Sequence, residues 1–127
     1  MSTNEYLEVF ESEVRALLPS VERVWIRAAN NRIDLSFRNS KDLISAVAAA
    51  TGAGIATSIY HALGVNRSRR QTRSCFLVFH LSNLCMDESL TYFLYELIIY
   101  KASIGAISKS ESELRKRRIQ KFEGTLQ

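Results

Sequence analysis

The chain has 127 residues, 46% of them hydrophobic, with one proline, five glycines and a net charge of +4. That length suffices for one domain (residues 1–127) with a core that needs no metal or disulfide staple, and the scarcity of proline and glycine excludes a disordered or low-complexity protein. Two cysteines, Cys75 and Cys85, are too few for a disulfide framework; with no basic segment leading into an apolar one, a cytoplasmic or nuclear protein is expected.

The charge is unevenly spread. Five glutamates against Arg15 alone leave residues 1–22 at −4, so the remainder carries +8, a balance that suits an anionic partner.

Asn4 is a good N-cap, and Tyr6, Phe10, Val14 and Leu17 recur at helical spacing. Pro19 disfavours helical geometry at Leu18, so the first helix ends there, with glutamates on its outer face. Residues 21–38 then read as a β-hairpin, because Ile33, Leu35 and Phe37 alternate with Arg32, Asp34, Ser36 and Arg38. A two-residue turn at Asn30-Asn31 sets Ala28 opposite Ile33, Ile26 opposite Leu35 and Val24 opposite Phe37. On the other face it sets Arg27 opposite Asp34, Trp25 opposite Ser36 and Arg23 opposite Arg38, and the last pair of like charges invites an anion.

Ser40 is read as the cap of a second helix, with Asp42 in its first turn and Gly64 as its stop. No formal charge occurs from Leu43 to Asn66, a length that would span a membrane. Seven alanines, three glycines and several hydroxyls in that stretch argue instead for a buried helix, broken near Thr51–Gly54. Ala46, Ala50, Gly54, Ser58 and Ala62 would form a small-residue stripe for close packing.

Residues 74–81 are a short apolar run with aromatic content, which predicts a central strand buried on both faces. A third helix starts at Asp87 or Ser89 and reaches Ser103. Leu90, Phe93, Leu94, Leu97 and Ile98 form its core stripe, and Tyr92, Tyr95, Ile99 and Tyr100 make it apolar nearly all round. A homodimer through helix 90–103 would bury the second side. The last helix, 109–123, is announced by two capping boxes, Ser108 with Glu111 and Ser110 with Glu113. Ile107, Leu114, Arg118 and Phe122 share a face of it.

The expected fold class is therefore α+β, in the order α-β-β-α(α)-β-α-α, with a small, mainly antiparallel three-stranded sheet covered by helices. The basic helix 109–123 is expected at the periphery. The α-β-β-α-α-β order resembles the KH module of the ribosomal type, with Thr51–Gly54 at the inter-helix turn. That module wants G-x-x-G with basic residues beside it; this chain has Gly52-Ala53-Gly54 without a nearby lysine or arginine. The resemblance covers order only, and no site is carried over.

The densest chemistry lies in the connector 66–74, where Arg67, Arg69, Arg70 and Arg73 stand among Ser68, Gln71, Thr72 and Ser74. Guanidinium forks suit bidentate phosphate contact, and the neutral side chains add hydrogen bonds. Arg117, Arg118 and Lys121 on the last helix are the secondary cluster, weakened by expected pairs of Glu111 with Arg115 and Glu113 with Arg117. Cys75, His80 and Cys85 with His61 invite a zinc reading, but Cys75 and His80 are five apart in a strand and point to opposite faces, so no metal or other cofactor is expected. No P-loop, G-x-G-x-x-G, G-x-S-x-G or H-E-x-x-H occurs, and no catalytic residues are expected. The chain reads as a non-enzymatic DNA- or RNA-binding regulator. The alternatives are an adaptor or inhibitor working through apolar helix surfaces, an acidic protein as partner, and membrane association through 43–63.

Overall fold

Helix α1 (Thr3–Leu17) turns Tyr6, Phe10, Val14 and Leu17 inward, the stripe that helical periodicity dictates, and stops just before Pro19. The structure is a computed structural model and describes residues 3–65, 71–81 and 86–125. Strand β1 (Val21–Arg27), a 3-10 turn (Ala28–Asn30) and strand β2 (Arg32–Phe37) follow as the expected hairpin.

Its register differs from expectation by two residues. Ile26 pairs with Ile33, Val24 with Leu35, Trp25 with Asp34 and Arg27 with Arg32. The reason is a longer loop: the 3-10 turn takes residues 28–30, and Asn31 adopts the left-handed conformation at φ 49°. A slip of two keeps the side-chain parity, so the apolar face still points inward. Arg23 pairs with Ser36 rather than Arg38 beyond an irregularity after Val21, and Ser36 Oγ accepts the Arg23 N–H at 3.1 Å.

Helix α2 (Ser40–Gly52) is capped by Asn39 rather than Ser40: Asn39 Oδ1 accepts the Asp42 N–H at 3.0 Å. The buried Asp42 carboxylate in turn accepts the Ser20 N–H at 3.2 Å and the Ser20 hydroxyl, tying the start of this helix to the α1–β1 turn. Leu43, Ala46, Ala49 and Ala50 face the core.

The uncharged stretch from Leu43 to Asn66 is only half helical. Gly54 takes φ 73°, Ile55 N–H bonds back to Ala50 O, and the chain then runs as strand β3 (Ala56–Val65). Left-handed φ is where glycine is at least cost, so α2 ends at the break expected near Thr51–Gly54, but a strand follows in place of the further helix that Gly64 was expected to stop. Thr57, Ile59 and Tyr60 then favour extended backbone. The small-residue stripe stops at Ala50, because Ser58 and Ala62 lie on a strand. Among the described residues no helix is long and apolar enough to cross a membrane.

Strand β4 (Gln71–His80) pairs with β3 on one side and β2 on the other. The sheet thus has four antiparallel strands in the order β1-β2-β4-β3, one more than expected. The chain order is α-β-β twice, then helices α3 (Met86–Ser103) and α4 (Lys109–Thr125), which removes the α-β-β-α-α-β likeness to the KH module. The arginine connector therefore leaves a strand, not a helix: it lies between the paired ends Val65 and Gln71.

Ile33, Leu35 and Phe37 of β2 and Cys75, Leu77 and Phe79 of β4 are cross-strand partners on one face of the sheet, and all are buried. The helices cover that face. Phe93 of α3 is fully buried, its ring centroid 4.9 Å from Phe79 and 6.2 Å from Phe10 of α1, tilted geometries that aromatic quadrupoles favour. Helix α3 packs on α1, α2 and α4. Helix α4 begins where Ser108 Oγ accepts the Glu111 N–H at 3.2 Å, as the capping box predicts. Among its described side chains Ile119 is buried, while Leu114, expected on the inner face, is 58% exposed.

Candidate functional site

Because the helices cover one face, the other face of the sheet is open. Strand alternation and register arrange its side chains in rows across all four strands. One row runs Arg23, Ser36, Phe76, Tyr60; the next runs Trp25, Asp34, Val78, Ser58; the third runs Arg27, Arg32, His80, Ala56. Each residue lies one strand spacing, about 4.8 Å, from its neighbour in the row.

Three aromatic residues stand exposed on this surface: Trp25 at 55%, Tyr60 at 57% and Phe76 at 37%. Large aromatic side chains left in water on a regular sheet are unusual, since each would gain by burial. Beneath them Val78 and Ser36 are buried by their neighbours, so the surface has a firm floor.

Three arginines share the face with one carboxylate. Asp34 accepts hydrogen bonds from Arg32 Nε and Nη2, both at 2.9 Å, and lies 3.4 Å from Arg27 Nε. The hydrogen bonds to Asp34 push the Arg32 pKa upward. Arg27 also lies over the Trp25 ring, 5.0 Å from its centroid, a cation–π contact that orients the indole. Arg23 makes no ion pair among the described residues; its side chain lines an open depression of about 260 Å³ with Glu11, Arg15, Val24 and Trp25. Ser58 Oγ and His80 Nε2 are 3.4 Å apart on the far side. Flat aromatic faces interleaved with net positive charge can stack bases and contact phosphates.

The residues singled out from sequence fall in three places. Arg67, Arg69 and Arg70 lie outside the described residues. The backbone of Arg73 belongs to β4 and pairs with Leu63. Tyr60 and Phe76 are cross-strand partners three pairs from Arg73 in the β3–β4 ladder.

Arg117, Arg118 and Lys121 are exposed on α4, which packs on α3 rather than on the open face. Arg118 pairs with the buried carboxylate of Glu13 on α1, and Arg115 donates to the same carboxylate at 2.9 Å. The expected Glu111–Arg115 contact gives way to this longer-range pair, and Glu113 pairs instead with Lys116 at 4.0 Å. Cys75 points into the core while His80 is exposed on the open face, the opposition expected from their spacing. No group of three or more potential metal ligands occurs among the described residues.

Trp25, Tyr60, Phe76, Arg27 and Arg32 were not singled out from sequence, and Arg23 only for an expected pairing with Arg38 that the register does not make. The alternation of Arg32, Asp34 and Ser36 was a visible signal of a polar outer face, with Trp25 on it. Tyr60 was hidden by the helical reading of 43–66, and Phe76 by the expectation of a strand buried on both sides.

No protein-family model matches the chain, and neither a curated protein nor a solved structure matches it. The class is set by the fold alone: an α+β protein whose four-stranded antiparallel sheet is covered by helices on one face.

Proposed function

We propose that this is a non-enzymatic nucleic-acid-binding protein that holds a single strand across the open face of its sheet. The observation that carries the reading is the placement of Trp25, Tyr60 and Phe76, exposed on one surface, with Trp25 between Arg23 and Arg27 on β1 and Arg32 beside them on β2. Unpaired bases offer the faces such rings stack on, whereas a duplex hides them. Arg67, Arg69, Arg70 and Arg73 supply further phosphate contacts from the adjoining connector, and Arg117 and Lys121 form a separate, weaker cluster. A reducing compartment, cytoplasm or nucleus, fits both the ligand and the cysteine content.

Trp25 is the only tryptophan, so its fluorescence reports directly on the face. Addition of a short single-stranded oligonucleotide at about 50 mM salt should quench it, and four phosphate contacts should weaken binding about 50-fold by 200 mM. Absence of any binding to single strands at the lower salt would overturn the reading. A second reading, an adaptor that engages a protein partner, is favoured by Tyr92 and Ile99, each 50% exposed on α3; a stable protein complex indifferent to changes on the sheet face would support it.

A further inference from the structure

The two edges of the sheet are unlike. At the β1 edge, Arg15 of α1 donates to the carbonyls of Val21 at 3.3 Å and Glu22 at 3.1 Å, occupying acceptors that an incoming strand would need. That strand also carries Glu22, Arg23 and Arg27. Charges and blocked acceptors are the usual protection of a sheet edge.

Among the described residues strand β3 shows neither. It is the outermost strand at the other end, bonded to β4 on one side and resting on α2 beneath. From Ala56 to Val65 it contains no proline, lysine, arginine, aspartate or glutamate, the only one of the four strands without a formal charge. Ile59 and Tyr60, on its opposite faces, are 48% and 57% exposed. A ten-residue strand whose outer edge is unpaired among the described residues presents alternate N–H and C=O groups whose natural partner is another strand.

We infer that the β3 edge pairs with β3 of a second copy of this chain, antiparallel, to give a continuous eight-stranded sheet. Three features select a second copy over a foreign strand. A two-fold contact sets each strand against itself, where any charge would meet its like; β3 alone is neutral throughout. Only one edge is usable, so the pairing closes at two chains and cannot propagate into a filament. The two-fold also carries the open face across the junction, bringing the Tyr60 rings of the two copies to the middle of one extended platform. This inference stands apart from nucleic-acid binding, since the edge would pair whether or not the face holds a ligand.

The test is sedimentation equilibrium of the full chain, with hydrogen exchange followed at low and high protein concentration. Wild type should approach twice 14.4 kDa, and amides of β3 should gain protection as concentration rises while those of β1 do not. Ile59→Lys should return the protein to monomer with an unchanged circular-dichroism spectrum; Tyr92→Glu with Ile99→Glu should remain dimeric. A wild type that stays monomeric to about millimolar concentration, where even weak pairing would register, overturns the inference. So does a dimer lost on changing α3 but retained in Ile59→Lys, or concentration-independent exchange in β3. Binding of a single strand by a monomer would leave the nucleic-acid reading intact while removing this one.

Discussion

Glu13 Oε2 accepts a hydrogen bond from Arg115 Nη1 at 2.9 Å, joining α1 to α4 across 102 residues of chain. Arg118 reaches the other carboxylate oxygen. The Glu13 side chain is only 5% exposed, against 19% for Arg115 and 51% for Arg118. A buried carboxylate is tolerated only while its cations are present, whereas a half-exposed arginine is already well solvated. Arg115→Ala should therefore destabilise by about 2 kcal/mol and Arg118→Ala by less than about 1 kcal/mol. Urea unfolding midpoints at unchanged slope would check the order. Equal losses would show that both arginines are needed to hold α4 in place.

The aromatic side chains of the open face should separate binding from stability. Tyr60→Ala and Phe76→Ala should each weaken single-strand binding by about 1–3 kcal/mol, the usual value of one base stacked on a ring. The change at Tyr60, 57% exposed, should leave unfolding free energy within about 0.5 kcal/mol, whereas that at Phe76, 37% exposed and so mostly covered, should cost about 1–2 kcal/mol. The salt dependence of binding should stay as in wild type, since no phosphate contact is lost. Phe93→Ala is the contrasting case: its ring is fully buried between Phe10 and Phe79, and removal should cost about 3–5 kcal/mol of stability.

Asp34 holds both Arg27 and Arg32, so on the proposed reading it would compete with phosphate for them. Asp34→Asn keeps the shape of the side chain and removes its charge, releasing both guanidinium groups. Affinity for a single strand should rise about 3- to 10-fold at low salt, and the salt slope should steepen by about 0.7 for each phosphate newly contacted. Isothermal titration at several salt concentrations would measure both. A weaker complex would mean that Asp34 holds the arginines in a binding posture instead of occupying them.

Gly54 tests what ends α2. Its φ is 73°, and a Cβ added there would meet nothing within 4 Å, so Gly54→Ala is opposed by backbone strain alone, about 1 kcal/mol. Gly52→Ala is opposed differently: its Cβ would stand 2.6 Å from Glu96 Oε2, the movable end of a side chain. In a Glu96→Ala background, Gly52→Ala should become neutral or stabilising, while the loss at Gly54 persists. Thermal melting of the four variants would separate strain from crowding.

The same turn explains how far the fold could be read from sequence. Helix α1, the β1–β2 hairpin and the last two helices carry local signals: Pro19, alternation through Arg32 and Phe37, the Ser108 cap. Residues 56–65 carry a weak one, because short uncharged runs of Ala, Thr, Ile and Tyr suit helix or strand, and the choice falls to β4, a partner distant in sequence. Once β3 was read as helix, Tyr60 could not be seen beside Phe76, and Phe76 was assumed covered. The arginine connector was conspicuous as composition, but its position between two paired strand ends follows from the same pairing. Glu13 is similar. Its sequence neighbours gave no hint that its partners are Arg115 and Arg118, since charge pairs between helices depend on how those helices pack.

Tyr95 links stability to pH. Burial pushes its phenol above the ordinary value of 10.0, and the charge of Glu123 and a hydrogen bond to that carboxylate push it further the same way. In the unfolded chain none of these effects operates. The folded form thus resists ionisation more than the unfolded form does, and the contribution is fully present below the unfolded pKa. It is lost as pH rises from there through the folded value, because ionisation first favours the unfolded chain. Unfolding free energy from urea titrations between about pH 8 and about pH 11 should fall at the alkaline end. Tyr95→Phe should flatten that fall while leaving neutral-pH stability nearly unchanged. Glu123→Gln should flatten it less, since burial, the larger cause, remains. An alkaline fall of equal steepness in Tyr95→Phe would assign it to other groups and remove the α3–α4 contact as its source.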